Sequence, residues 1–212
     1  MNTLLMDTSS QNMLVALNAS GNLIDGPKYE TSKHLETLMP AVDELLTKKD
    51  FEIKNIDYIG VVVGPGSFTG IRIAVSTAKA MMMASKNIKA VAVNSLELMA
   101  KSFYKNRGFN EKILCVIPTT IKKVYCAQFD INGRISEDSI CEVESLKDFE
   151  KDFKIVSNKQ ITEDAVVYEV TTKDLNDFVE KEILDKNFTH DLVPEYIGLS
   201  QAEQELKNKE NK

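Results

Sequence analysis

The chain has 212 residues, 43% of them hydrophobic and 27% charged, with a formal charge of −6 at neutral pH. A chain of this length buries roughly 70% of its unfolded surface, and no apolar run approaches the ~20 residues that span a bilayer. The N-terminus "MNTLLMDTSS" lacks the basic and long apolar regions of a secretory signal, so the expectation is a cytoplasmic protein without membrane contact.

Charge and cysteine usage narrow the classes further. Residues 1–100 carry 9 basic and 10 acidic side chains and residues 101–212 carry 17 and 22. Neither half is the basic platform that a phosphate backbone requires, so contact with nucleic acid is expected through another chain. Cys115, Cys126 and Cys141 are odd in number and contain no C-x-x-C pair, which reads as reduced thiols rather than a disulfide framework or a zinc site.

In chain order, residues 3–18 form a hairpin pattern, with apolar "TLLM" and "MLVALN" around polar "DTSSQN". Residues 33–48 place Leu35, Leu38, Met39, Val42, Leu45 and Leu46 at helical spacing after Thr31 and Ser32, two candidate N-caps. Pro40 removes a backbone donor inside that pattern and predicts a kinked or divided helix. The continuous apolar run "YIGVVV", residues 58–63, suits a strand buried on both faces. A helix over 71–84 follows, then a short strand at 91–93 and a capping pattern of Asn94 with Glu97. Turn signals at 105–110 divide the chain into lobes of residues 1–104 and 105–212. In the second lobe, strands are expected at 112–117, 124–130 and 153–157, with a hairpin at Asn132 and Gly133 between "VYCAQFD" and "RISEDSICEV". A helix spans 173–184, and "QAEQELKNKENK" reads as a solvated terminal helix.

The connection "GPGSFTG" between the strand at 58–63 and the next helix poses the functional question. It lacks the Walker lysine, since Ile71 follows Gly70, and Thr69 occupies the third glycine position of a dinucleotide fingerprint. It is therefore either a diverged phosphate cradle or a sharp strand-to-helix turn made by Gly64, Pro65 and Gly66. The helix beyond is apolar on two sides: Ile71, Ala74, Val75, Ala78, Met81 and Met82 form one stripe, and Ile73, Ala80, Met83 and Ala84 cluster opposite. Such a helix is either enclosed in a core or has one face on its sheet and another on a partner.

"GPGSFTGIRIAVSTAKA" is similar to the signature of the TsaB family of bacterial tRNA threonylcarbamoyladenosine biosynthesis proteins. The opening "LLMDTSS", "HLETLMPAVDELL", "VAVNSLELMA" and the late "VPEYIGLSQAE" extend the resemblance. It implies an α/β, two-lobed, actin-like ATPase fold of the ribonuclease-H-like class, each lobe built on a βββαβα unit and the second lobe reduced. It also implies a non-catalytic partner of TsaD, the related subunit that performs the chemistry. With TsaE, an ATPase, that pair transfers a threonylcarbamoyl group to the adenosine next to the anticodon. No cofactor or metal is expected on this chain alone, a nucleotide is possible at its contact with TsaD, a homodimer is possible, and tRNA is reached through the complex.

Within the resemblance, Ser95 and Met99 stand where TsaD-type enzymes carry metal-binding His, and neither suits that cation. "DTSS" lacks the glycine of the phosphate-binding D-x-G-[ST] hairpin, so Asp7 reads as a turn-former and His34 as a packing or capping residue. The second lobe departs from the family's D-A-R-R pattern with Pro118, Thr119, Thr120 and Ile121, and Gly198 replaces the late arginine after Pro194, Tyr196 and Ile197. The partner contacts expected are Leu38, Met39 and Val42 on the first helix and Arg72, Ile73, Ser76, Ala80 and Met83 on the second. Gly64, Pro65, Gly66 and Gly70 form the structural turn, anchored by Phe68. The alternative from another class is an actin-fold phosphotransferase or a metallopeptidase-like enzyme.

Overall fold

The computed structural model describes residues 1–29 and 33–197. The candidate caps Thr31 and Ser32 and the expected terminal helix lie outside the described residues.

The first half folds as β1 (Asn2–Asp7), β2 (Leu14–Ala19), β3 (Asn22–Asp25), α1 (His34–Thr47), β4 (Tyr58–Gly64), α2 (Phe68–Ala84), β5 (Lys89–Asn94) and α3 (Ser95–Arg107). Its sheet has the order β3-β2-β1-β4-β5, antiparallel among the first three strands and parallel from β1 through β4 to β5. The expected βββαβα pattern runs from β1 through α2, and β5 and α3 extend it by one strand and one helix. The apolar runs of β1 and β4 are continuous because both faces of the sheet are covered. Leu4, Met6, Val61 and Val63 point into a core shared with α1 and α2, whereas Leu5 and Val62 point into a second core on the other face.

Pro40 does not divide α1, which runs through it without interruption. The N–H that proline lacks would have bonded the Glu36 carbonyl, and both residues are exposed, so that carbonyl can turn to water. Asn94 caps α3 as its pattern predicts, accepting the Glu97 amide at 3.0 Å. The Glu97 carboxylate does not return to close a full box; it pairs with Lys101 at 2.7 Å.

The second half contains β6 (Ile113–Pro118), β7 (Lys123–Asp130), β8 (Gly133–Arg134), β9 (Ser139–Glu142), α4 (Leu146–Phe149), β10 (Lys154–Ser157), β11 (Val166–Val167) and α5 (Thr172–Leu184). Its sheet is ordered β11-β10-β6-β7-β8, with β9 also paired to β7. The Asn132–Gly133 hairpin forms, with Gly133 at φ 138°. Its return strand is broken, however: two residues of β8 pair with β7, and pairing resumes at β9.

Each sheet is covered by a helix from across the expected division at 104/105, which falls inside α3. Leu96, Met99, Ala100, Phe103 and Tyr104 of α3 pack on the second sheet. Leu175, Phe178, Val179 and Ile183 of α5 pack on the first, joining Leu5, Ala16, Val62, Val91 and Val93. A Cβ at Gly60 would stand 2.5 Å from Val179 Cγ2, so a glycine there lets α5 approach β4. Residues 188–197 then return along the first lobe: Thr189 bridges Ala90, Leu192 is fully buried with α1 and α2, and the Glu195 amide donates to the Val63 carbonyl at 2.9 Å. Among the described residues no helix is long and apolar enough to cross a membrane.

Candidate functional site

The connection from β4 to α2 is closed by the chain's own backbone. Gly64 has φ 133°, and Ser67 caps α2 by accepting the Gly70 amide at 3.2 Å. The β1–β2 turn lies directly on this segment: the Ser67 amide donates to the Ser9 carbonyl at 2.7 Å, and the Thr8 hydroxyl donates to the Gly70 carbonyl at 2.6 Å. A Cβ at Gly66 would meet the Ser9 carbonyl oxygen at 2.6 Å, and one at Gly70 would meet the Thr8 carbonyl oxygen at 1.8 Å. These glycines are required for close approach between two backbone segments, and carbonyl oxygens fill the space between them. An anion placed there would meet lone pairs rather than N–H donors.

The neighbouring polar side chains are committed to the fold. The Asp7 carboxylate accepts the Ser9 amide at 2.7 Å, closing the turn. Burial pushes its pKa up, against the opposing pull of the Ser9 hydroxyl and amide and of His34. His34 is buried with Nε2 2.7 Å from the Ser10 carbonyl, a packing position that ties α1 to the β1–β2 turn. Its Nδ1 has no hydrogen-bond partner among the described residues. The Ser95 hydroxyl donates to the Pro65 carbonyl, and Met99 is buried in the core of the second sheet. Among the described residues no three His, Cys, Asp or Glu side chains converge in a metal-binding group.

The outer side of α2 has a different character. Arg72, Ser76, Ala80 and Met83 follow one another along the exposed face, and Met83 is 82% exposed. Ile73 is half-buried and packs against the core. On α1, Leu38 and Val42 are each only 1% exposed, so these two expected contacts belong to the core and cannot meet a partner. Helical periodicity identifies an apolar stripe without telling its inner from its outer edge. The apolar residues that α1 presents to solvent are Leu35, 75% exposed, and Met39, 47% exposed.

Phe68 is part of this surface rather than a purely buried anchor. Its ring lies 4.9 Å from that of Tyr196, and the Arg72 guanidinium sits 3.9 Å over the Phe68 ring while its Nε donates to the Tyr196 hydroxyl at 2.8 Å. Sequence reasoning singled out Tyr196 only within the late motif, because nothing local signals a contact 124 residues away.

The closed connection and the exposed helical face sit on two α/β lobes, each built on a mixed sheet, and the chain resembles known proteins of that form. The profile of the family described as TsaD, tRNA N6-adenosine threonylcarbamoyltransferase, matches residues 26–190, and the chain belongs to that family. Its curated relatives include proteins named tRNA threonylcarbamoyladenosine biosynthesis protein TsaB, which the motifs resemble. The one from Bacillus subtilis is 29% identical over 96% of each chain. The one from Buchnera aphidicola is 33% identical over 47% of this chain, so the match spans less than half, 44%, of that relative. The solved structure of YeaZ from Pseudomonas aeruginosa shares the fold with a TM-score of 0.75 at 21% identity, over 92% of this chain and 99% of its own. The fold is α/β with two sheets, as expected from the sequence, and is shared with YeaZ.

Proposed function

We propose that this chain serves threonylcarbamoyladenosine formation in tRNA as a non-catalytic subunit, and that it pairs with a TsaD protein through the outer surface of α1 and α2. The observation that carries the reading is the exposed row of α2, with small Ser76 and Ala80 at its centre and Met83 at its end. Small residues let a partner helix approach closely, and exposed Met and Leu side chains supply apolar area that a folded monomer has no reason to present. Leu35 and Met39 of α1 extend the row. A second copy of the chain is the competing occupant of the same surface.

The positions that carry chemistry in the enzyme have other work here. Ser95 and Met99 are consumed by a backbone hydrogen bond and by core packing, and the turn that could cradle a phosphate is filled by the carbonyls of Thr8 and Ser9. No residue of this chain is assigned a catalytic role. TsaE and tRNA enter through the complex, and any nucleotide binds where the two subunits meet. No specific feature favours the phosphotransferase or metallopeptidase reading.

The test is reconstitution of threonylcarbamoyl transfer to tRNA from TsaD, TsaE, the adenylate-forming enzyme and this chain. Modification is expected only when the chain is present. Undiminished transfer without it, or sustained ATP turnover by the isolated chain, would overturn the proposal.

A further inference from the structure

Two of the three cysteines meet in the second lobe, where no part of the proposed function uses them. Cys126 lies on β7 and Cys141 on β9, strands paired antiparallel with Cys126 opposite Ser139 and Val124 opposite Cys141. That register puts the two cysteines on the same face, one diagonal step apart. Their sulfurs are 3.0 Å from one another, and the Ser139 hydroxyl is 3.3 Å from Cys126 Sγ. Cys115, on neighbouring β6, is fully buried in the core beneath α3.

We propose that Cys126 and Cys141 are a redox-active dithiol that closes to an intrachain disulfide by exchange with a low-molecular-weight disulfide of the glutathione class, while Cys115 stays reduced. The sulfurs need to approach by only about 1 Å to reach bonding distance. β9 can supply that movement: it is four residues long, lies at the edge of the sheet, and is mostly exposed. Cys141 is half-buried and so opens the pair to a small reagent from solvent.

The chemistry of the pair fits exchange. A thiol donating to a neighbouring thiolate stabilises it, which pulls one sulfur, Cys126, down to about 7 and holds Cys141 high through the same bond. The nearby Asp138 and Glu142 oppose ionisation, and Ser139 assists it. Burial pushes the Cys115 thiol up, so it is protonated as well as shielded. In the reaction the thiolate of the pair attacks one sulfur of the incoming disulfide and expels one thiolate. The second sulfur gives its proton to that thiolate and displaces the remaining half from the mixed disulfide. Overall one S–S bond forms and one is broken; the thiolate–thiol pair is oxidised and the small disulfide is reduced to one thiol and one thiolate, which takes its proton from water.

Closure would join residues 126 and 141 around a loop that contains Arg134 and Asp138. Both side chains hold Asn94 of the first lobe, Asp138 accepting from Asn94 Nδ2 at 2.6 Å and Arg134 donating to Asn94 Oδ1 at 3.1 Å. Oxidation is therefore expected to stiffen the segment that bridges the two lobes.

The test uses the unsubstituted chain, reduced, freed of reductant and then titrated with oxidised glutathione. Free thiols are alkylated before and after denaturation and located by intact mass and peptide mapping. The expected product has lost two hydrogens, carries no glutathione, and yields a cross-linked peptide pair containing Cys126 and Cys141. Cys115 should alkylate at least ~10-fold more slowly in the native chain than either member of the pair. Cys141→Ala should give no intrachain disulfide. Glutathione retained on Cys126 or Cys141 in the unsubstituted chain, three thiols still free in excess oxidised glutathione, or a bond involving Cys115 would overturn the proposal.

Discussion

Replacing Gly70 with Ala sets two physical effects of opposite sign against each other. Gly70 lies in the first turn of α2, where helix propensity alone favours Ala over Gly by about 1 kcal/mol. The tertiary contact says otherwise, since the new Cβ would stand 1.8 Å from the Thr8 carbonyl oxygen and 2.9 Å from its carbon. That neighbour is backbone, anchored in a buried turn, so relief requires separating β1 from α2 rather than rotating a side chain. Overpacking of this kind costs about 1–3 kcal/mol, and a 1.8 Å approach to backbone belongs at the upper end. Separation also weakens the buried bond from the Thr8 hydroxyl to the Gly70 carbonyl, worth about 1 kcal/mol. The balance is a loss of about 2–3 kcal/mol, which for a chain of this size lowers the melting temperature by about 5–10 °C. Thermal and urea denaturation followed by circular dichroism measure it. A Gly70→Ala chain as stable as the original, or more so, would refute the claim that close backbone approach is what requires the glycine.

The other predictions concern the surface, the buried carboxylate and Ser95. Ala80→Glu places a charge at the centre of the exposed α2 row, so association with a TsaD partner is expected to be lost with an unchanged circular dichroism spectrum; retained binding would remove this face from the interface. Asp7 has a folded pKa raised by burial, so its contribution to stability is fully present below the ordinary carboxylate value of 3.8 and is lost as pH rises through the raised pKa. Asp7→Asn should flatten this part of the stability-pH curve in urea melts, and an unaltered curve would place the titration elsewhere. Ser95→Ala leaves the buried Pro65 carbonyl without its donor and should cost about 1–3 kcal/mol in urea denaturation. Reconstituted transfer per folded molecule should be unchanged, whereas a loss of turnover would give Ser95 a chemical role.

Much of the framework was legible because burial leaves periodic marks. The run at 58–63 announced a strand covered on both faces, the Asn132–Gly133 pair announced a turn, and the helix patterns of α1, α2 and α5 lie within a few residues of their observed bounds. Discrimination within a stripe was not legible. Leu35 and Leu38 are identical in type and three residues apart, yet one is 75% exposed and the other 1%. Only the position of the sheet beneath α1 separates them. The breaks in the strand after Gly133 were equally silent, and with them the register that brings Cys141 to Cys126. Nor could local pattern show that α5 covers the first lobe's sheet, because its apolar face fits either sheet equally well.

The distant family motifs become one constellation when folded. "GPGSFTG" and "VPEY" are more than 120 residues apart in the chain, yet the Glu195 carbonyl lies where a Gly64 side chain would be, and Tyr196 stacks on Phe68 and holds Arg72. From the other side, Asn94 donates to both Glu195 at 3.0 Å and Asp138 at 2.6 Å, so the returning strap, the first lobe and the second-lobe hairpin share one amide. The N-terminal end of α2 is thereby fixed by the β1–β2 turn, the strap and the second lobe together. A helix whose outer face must meet a partner gains from such fixation, because a surface already in its bound geometry loses less conformational freedom on association. On this account the glycines, Ser95 and Asn94 serve the rigidity of α2.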